Sequence, residues 1–199
     1  MGAAAYTLLV NERPPVSSRR QPDLHVTCRY DCDMAEHRWK PNVTVAAVVE
    51  ADGRFLLVEE ETVEGLRLNN PAGHMDCGES PLEAVVRETL EETARHFRPR
   101  HFLGVYLSRF QRPATDEDVT YLRLAYAGSV GEPVPGRALD SGIVRTVWMD
   151  LDELRASRAR HRSALVLRCI EDHLAGRHHP LDVVTADATL HAPEIKRAF

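Results

Sequence analysis

One helical signal, set among segments that read as strands, limits the folds open to this chain. Ser80-Pro81-Leu82-Glu83 supplies a capping serine, a proline at the first helical position and a glutamate placed to close a capping box. Pro99 disfavours helical geometry in the residue before it, so the helix is expected to stop by Arg98. Around it, residues 43–50 and 54–60 read as strands joined by an Asp52-Gly53 turn and predict a hairpin. "LRLNNPAGH" reads as a short strand entering a Pro/Gly loop, and residues 101–110, 119–130 and 143–150 read as further strands. Asp150 opens a helix to about residue 158, and a last helix spans about 163–175, ended by Gly176. There is no internal repeat and no βαβ rhythm. The expectation is an α+β fold with a mixed sheet, not a doubly wound one.

Residues 1–38 hold Pro14-Pro15, Ser17-Ser18 and paired arginines without periodicity, the pattern of an unpacked extension. Met34 stands just before the first strand-like segment as an alternative start. The folded domain is expected over 39–185 and a C-terminal tail over 186–199. With 25 Lys+Arg against 30 Asp+Glu, the net charge of −5 argues against a broad nucleic-acid surface as the default. Arginines cluster in 95–112 and 155–162, where a solvated face or a phosphorylated ligand would both suit them. The four cysteines, Cys28, Cys32, Cys77 and Cys169, form no paired framework, and Cys28 and Cys32 with His25 and His37 lack the second pair that finger-type zinc sites need. No apolar run is long enough to span a bilayer, and the N-terminus has no basic region of the signal-peptide kind. A cytoplasmic location with no membrane partner is the expectation; the oligomeric state is not legible.

At about 100° per residue, Leu82, Val86, Leu90 and Phe97 share one arc of the long helix, expected to be its packing face, while Glu88, Glu91 and Glu92 gather roughly opposite. Spacings of three and four make these glutamates neighbours. Each such like-charge pair costs a few tenths of a kcal/mol, and negative charge late in a helix opposes its dipole. Pairing of Glu91 with Arg95 and Glu92 with His96 would make a solvated face. Three carboxylates on one face would also make an all-oxygen site for a hard divalent cation such as Mg²⁺.

Gly73, Glu79 and the run Arg87-Glu88-Thr89-Leu90-Glu91-Glu92, at their spacing, resemble the signature box of the Nudix hydrolase family. Six specified residues match a given register by chance on the order of 10⁻⁷ to 10⁻⁶ of the time. Thr89 and Arg95, where aliphatic residues are usual, and Ala94, where glycine is usual, depart from the pattern and bear on the helix exit. Segments such as "FLLVEEE", "LNNPAGH" and "DSGIVRTVWMDLDEL" resemble the bacterial phosphatase NudJ group, over about 40–184.

That resemblance implies a single domain with a Nudix-type mixed β-sheet sandwiched between α-helices. It implies that Glu88, Glu91, Glu92 and the Gly73 carbonyl bind Mg²⁺, with Mn²⁺ an alternative, and that Glu79 and Arg87 pair to fix loop against helix. Glu88, then Glu91, is the expected catalytic base. The substrates would be small phosphorylated molecules: nucleoside tri- and diphosphates and thiamine-type pyrophosphates, releasing orthophosphate. Alternatives are cleavage between phosphates to leave a monophosphate, and a silent nucleotide- or RNA-binding module. Asn70, Arg109, Tyr121, Arg123, Asp140 and Arg162 are candidate substrate contacts, each with an ordinary structural alternative; Asn69, Tyr106 and His74 are lesser ones.

Overall fold

The computed structural model describes residues 39–112 and 116–191. The expected extension, with Cys28 and Cys32, lies outside the described residues. The strands are β1 (Asn42–Ala51), β2 (Arg54–Thr62), β3 (Gly65–Asn69), β4 (Ala72–His74), β5 (Phe97–Arg112), β6 (Glu117–Val130) and β7 (Ile143–Asp150). The helices are α1 (Pro81–Thr93), α2 (Leu151–Ala156) and α3 (Leu165–Leu174).

Two sets of strands share the work. β4, β1, β6 and β5 lie side by side, β1 running parallel to β6 and antiparallel to β4. β3, β2 and β7 form an antiparallel set. The expected hairpin of β1 and β2 exists only beside its turn, where Glu50 pairs with Phe55 and Ala51 with Arg54. Beyond that the strands diverge, because β1 is drawn to β6 and β2 to β7. Val45 to Val49 are buried without interruption, as expected of a central strand covered on both faces.

One core cluster packs Ala84 and Val85 of α1 against Val45, Ala47, Val49 and Tyr126. The other packs Val166, Cys169 and Ile170 of α3, with Leu154 of α2, against Val48, Ala125 and Leu57. The mixed sheet thus sits between helices, in one domain. Among the described residues no helix is long and apolar enough to cross a membrane.

α1 begins where the sequence places it: Ser80 accepts from the Glu83 amide and the Glu83 carboxylate accepts from the Ser80 amide. It ends at Thr93, not near Arg98. Ala94 takes a left-handed conformation, φ 54°, its amide capping the Leu90 carbonyl, and its own carbonyl accepts from Val134 at 2.7 Å. The chain turns early because Phe97 already pairs with Val130 in the sheet.

Candidate active site

The expected packing face of α1 is rotated from the observed one. Leu82, Val86 and Leu90 are only half-buried, whereas Ala84, Val85, Glu88, Thr89, Glu92 and Thr93 are buried. Glu92 lies near the middle of that buried arc. Two of the three glutamates therefore point toward protein, in defiance of amphipathic patterning. Thr89 and Thr93 close their hydroxyls onto the helix carbonyls of Val85 and Thr89, which makes these polar positions tolerable inside.

Gly73 in β4 lies opposite Val45. A Cβ built on it would fall 2.1 Å from the Glu88 carboxyl carbon, so only glycine lets this backbone and that carboxylate share the space. Arg87 is the hub of the loop–helix junction. Its Nη2 and Nε donate to the two Glu79 oxygens at 2.6 and 3.0 Å, a forked charge-assisted pair. Its Nη2 also donates to the His74 carbonyl at 3.0 Å, and Glu79 accepts from the Asp76 amide. The remaining nitrogen, Nη1, donates to Glu88 Oε1 at 2.8 Å and Glu91 Oε2 at 3.0 Å. Glu92 instead accepts from the Ala72 amide at 2.8 Å.

These surroundings separate the acids electrically. The Arg87 hydrogen bonds hold Glu79 below the usual carboxylate range. Burial pushes Glu88 up, against the pull of Arg87. Glu92 is pushed up to about 8, chiefly by burial and further by the Glu88, Glu60 and Asp140 carboxylates. Glu91 is the most exposed of the three helix glutamates, its side chain 36% accessible.

No three carboxylate, histidine or cysteine side chains among the described residues converge as a ready-made metal cage, since the Arg87 guanidinium stands between Glu88 and Glu91. The donor set still fits a hard cation: carboxylate oxygens of neighbouring turns, a glycine backbone pressed against one of them, and mutual repulsion that a cation would relieve. Arg87 can give up its Nη1 contacts while its other two nitrogens keep Glu79.

The remaining candidates divide. The Asp140 amide donates to the Glu91 carbonyl at 2.9 Å and its carboxylate adds to the field at Glu92, so it joins the site. Arg123 is buried, and its charge lies near both Glu60 and Glu92. Arg162 approaches Glu60 at 3.6 Å. Asn70 is 1% exposed and sits between β3 and β4. Tyr121 packs between His74 and the ring of Phe110. Tyr106 donates to Asp172 at 3.1 Å, on the α3 side. Arg109 is apart: it pairs with Thr120, on the other face of the hairpin from Tyr121, and grips Asp118 through Nε at 2.7 Å. Sequence reading did not single out Thr44 or Glu60, which stand among the candidates. Glu60 hides in a run of three glutamates on β2, and only the pairing register separates it from its neighbours.

At one edge of the sandwich, loop and helix press acidic side chains against a glycine backbone. The NUDIX domain profile matches residues 38–168, and the chain belongs to the Nudix hydrolase family, whose members generally use a divalent metal. Phosphatase NudJ of Escherichia coli (strain K12) is 37% identical over 148 residues, 73% of this chain and 92% of that protein. A NUDIX hydrolase from Nitrosomonas europaea superposes with a TM-score of 0.68 at 46% identity, covering 74% of this chain and 98% of that one. A MutT NUDIX hydrolase from Burkholderia pseudomallei, 23% identical with a TM-score of 0.54 over 67% of this chain and 98% of that one, shares the fold.

Proposed function

We propose that this chain is a Mg²⁺-dependent hydrolase, able to use Mn²⁺, that removes terminal orthophosphate from nucleoside tri- and diphosphates and from thiamine-type pyrophosphates. The observation that carries the reading is the Gly73–Glu88 contact beside Arg87, Glu91 and buried Glu92, an acidic concentration in which burial works against the charge of Glu88 and Glu92. Likeness to a protein named a phosphatase favours orthophosphate as product.

Glu88, Glu91, Glu92 and the Gly73 carbonyl would hold the cation, which when bound neutralises phosphate oxygens and favours an ionised attacking water. The chain's own residues do the rest. Arg87 and Glu79 lock the loop onto α1, so that Gly73 and Glu88 keep their spacing. Glu88, whose basicity is raised by burial, takes the proton from water as its oxygen bonds to the terminal phosphorus; the bond to the bridging oxygen breaks, and that oxygen leaves with the rest of the substrate. Glu91, more exposed, is the second choice of base. Asp140 supports the backbone of α1 at Glu91.

The test is product analysis on one nucleoside triphosphate with and without Mg²⁺. Orthophosphate as the first product, abolished by chelator, supports the reading. Pyrophosphate as the sole early product replaces it with cleavage to a monophosphate. Binding of nucleotide without turnover replaces it with a silent module.

A further inference from the structure

Most of the buried side-chain polar atoms without a hydrogen-bond partner among the described residues lie in one region: Thr44 Oγ1, Glu60 Oε1, Asn69 Oδ1, Arg123 Nη1 and both amide atoms of Asn70. Four of these residues are connected. Thr44 and Arg123 are register partners on β1 and β6, so their side chains leave the same sheet face. Glu60 feels the charge of Arg123, and the Asn69 side-chain amide lies beside its carboxylate. Cys169 of α3 meets Arg123 from above, and Arg162 flanks Glu60. Thr44 is 7% exposed, Asn69 6% and Arg123 9%.

Leaving a buried donor or acceptor unsatisfied costs about 1–3 kcal/mol, and native interiors keep few such atoms. A cluster of them marks the place of a ligand, and their chemistry says which kind. A phosphate group only accepts hydrogen bonds. It would suit Arg123 but would set its oxygens against the open acceptors of Asn69 and Glu60. The charges of Arg123 and Glu60 also offset each other, which suits a neutral partner. What satisfies a cationic donor, a hydroxyl, an amide oxygen and a carboxylate oxygen together is an edge that both donates and accepts.

The neighbouring aromatics fit the same partner. Tyr121 precedes Arg123 by two residues on β6 and so shares its face; His74 is the register partner of Thr44. The Tyr121 ring stacks on Phe110 at 5.7 Å, nearly parallel, and meets His74 at 5.8 Å. Flat π surface beside a pocket of mixed donors and acceptors is how proteins hold planar heterocycles.

We propose that Thr44, Glu60, Asn69 and Arg123 form a recognition pocket for the hydrogen-bonding edge of an amino-substituted nitrogen heterocycle, the end of the substrate away from its phosphates. This rests on the proposed phosphohydrolase reading, which puts the phosphates at α1. A nucleobase and the aminopyrimidine ring of thiamine share this chemistry.

The experiment compares wild type with Asn69→Leu and Glu60→Gln on ATP, CTP, UTP, thiamine pyrophosphate and inorganic tripolyphosphate. In both variants kcat/KM for the amino-bearing substrates should fall about 10- to 100-fold and UTP less, and in Asn69→Leu tripolyphosphate should stay within about twofold of wild type. Which of ATP, CTP or thiamine pyrophosphate falls most identifies the source of the heterocycle. An equal fall on tripolyphosphate in Asn69→Leu, or unchanged values throughout, overturns the pocket. A parallel titration with adenosine, cytidine, thiamine and ribose reads the pocket without catalysis. Weaker binding of the amino-bearing rings to either folded variant supports it even if no substrate turns over, which would defeat only the hydrolase reading. Failure of wild type to bind any of these rings more tightly than ribose overturns it.

Discussion

Replacing Glu92 by Gln should make the metal-free protein more stable at pH 8 while removing its response to Mg²⁺. Glu92 is 8% exposed and its carboxyl is pushed from the ordinary 4.5 up to about 8, first by burial and then by nearby acids. Below pH 4.5 the group is neutral whether the chain is folded or not, and stability is unaffected by it. Between 4.5 and about 8 the unfolded chain ionises while the folded one resists, so folding stability falls as pH rises through this window. At about 1.4 kcal/mol per pH unit, the penalty above pH 8 is on the order of 5 kcal/mol. Glutamine keeps an oxygen for the Ala72 amide but buries an amide NH₂ that costs about 1–3 kcal/mol if unpaired. The net gain is then about 2–4 kcal/mol, worth roughly 5–10 °C in a domain of this size. Thermal melts of both proteins from pH 5 to 8.5 in chelator would show the variant's advantage growing with pH. In Mg²⁺ at pH 8 wild type should rise and the variant should not. A variant that melts at or below wild type at pH 8, or a difference flat in pH, refutes the reasoning.

Other outcomes follow from the same geometry. Gly73→Ala should lower kcat about 100-fold, because its methyl would displace the Glu88 carboxylate, 2.1 Å away; steady-state kinetics checks this, and near-normal activity counts against the contact. Glu79→Gln should weaken the forked pair with Arg87, costing about 1–2 kcal/mol at pH 7. Since Arg87 holds Glu79 below 4.5, that stability is present above pH 4.5 and lost as pH falls through the folded value, so denaturant melts of the two proteins should converge in acid. Ala94→Gly should stabilise by roughly 0.5 kcal/mol, since a left-handed alanine costs about 1–2 kcal/mol and glycine gives back part of that in unfolded-chain entropy; calorimetry reads the sign.

Much of the fold was legible because local chemistry decided it. The Ser80–Glu83 capping box, the Asp150 cap of α2 and the β-branched and apolar runs of β2, β6 and β7 all specify their elements from within. The end of α1 was not, because it depends on Phe97 reaching Val130 across the sheet. The orientation of α1 was misread because burial of Glu88 and Glu92 contradicts amphipathic patterning, the kind of exception that functional sites impose. The box residues themselves were readable, since their spacing is local. Glu60, Asn69, Thr44 and Arg123 meet only through strand pairing and long-range packing, so their association has no local signature.

Glu88, Glu91, Glu92 and the Gly73 carbonyl are proposed to hold a divalent cation. Electron paramagnetic resonance of Mn²⁺ titrated into the full chain reads this directly, through loss of the free-ion signal. Saturable binding in wild type, displaced by Mg²⁺ and reduced at least about tenfold in Glu88→Gln and in Glu92→Gln, is the predicted result. Saturation unchanged in both folded variants, or no binding by wild type at millimolar Mn²⁺, would contradict it.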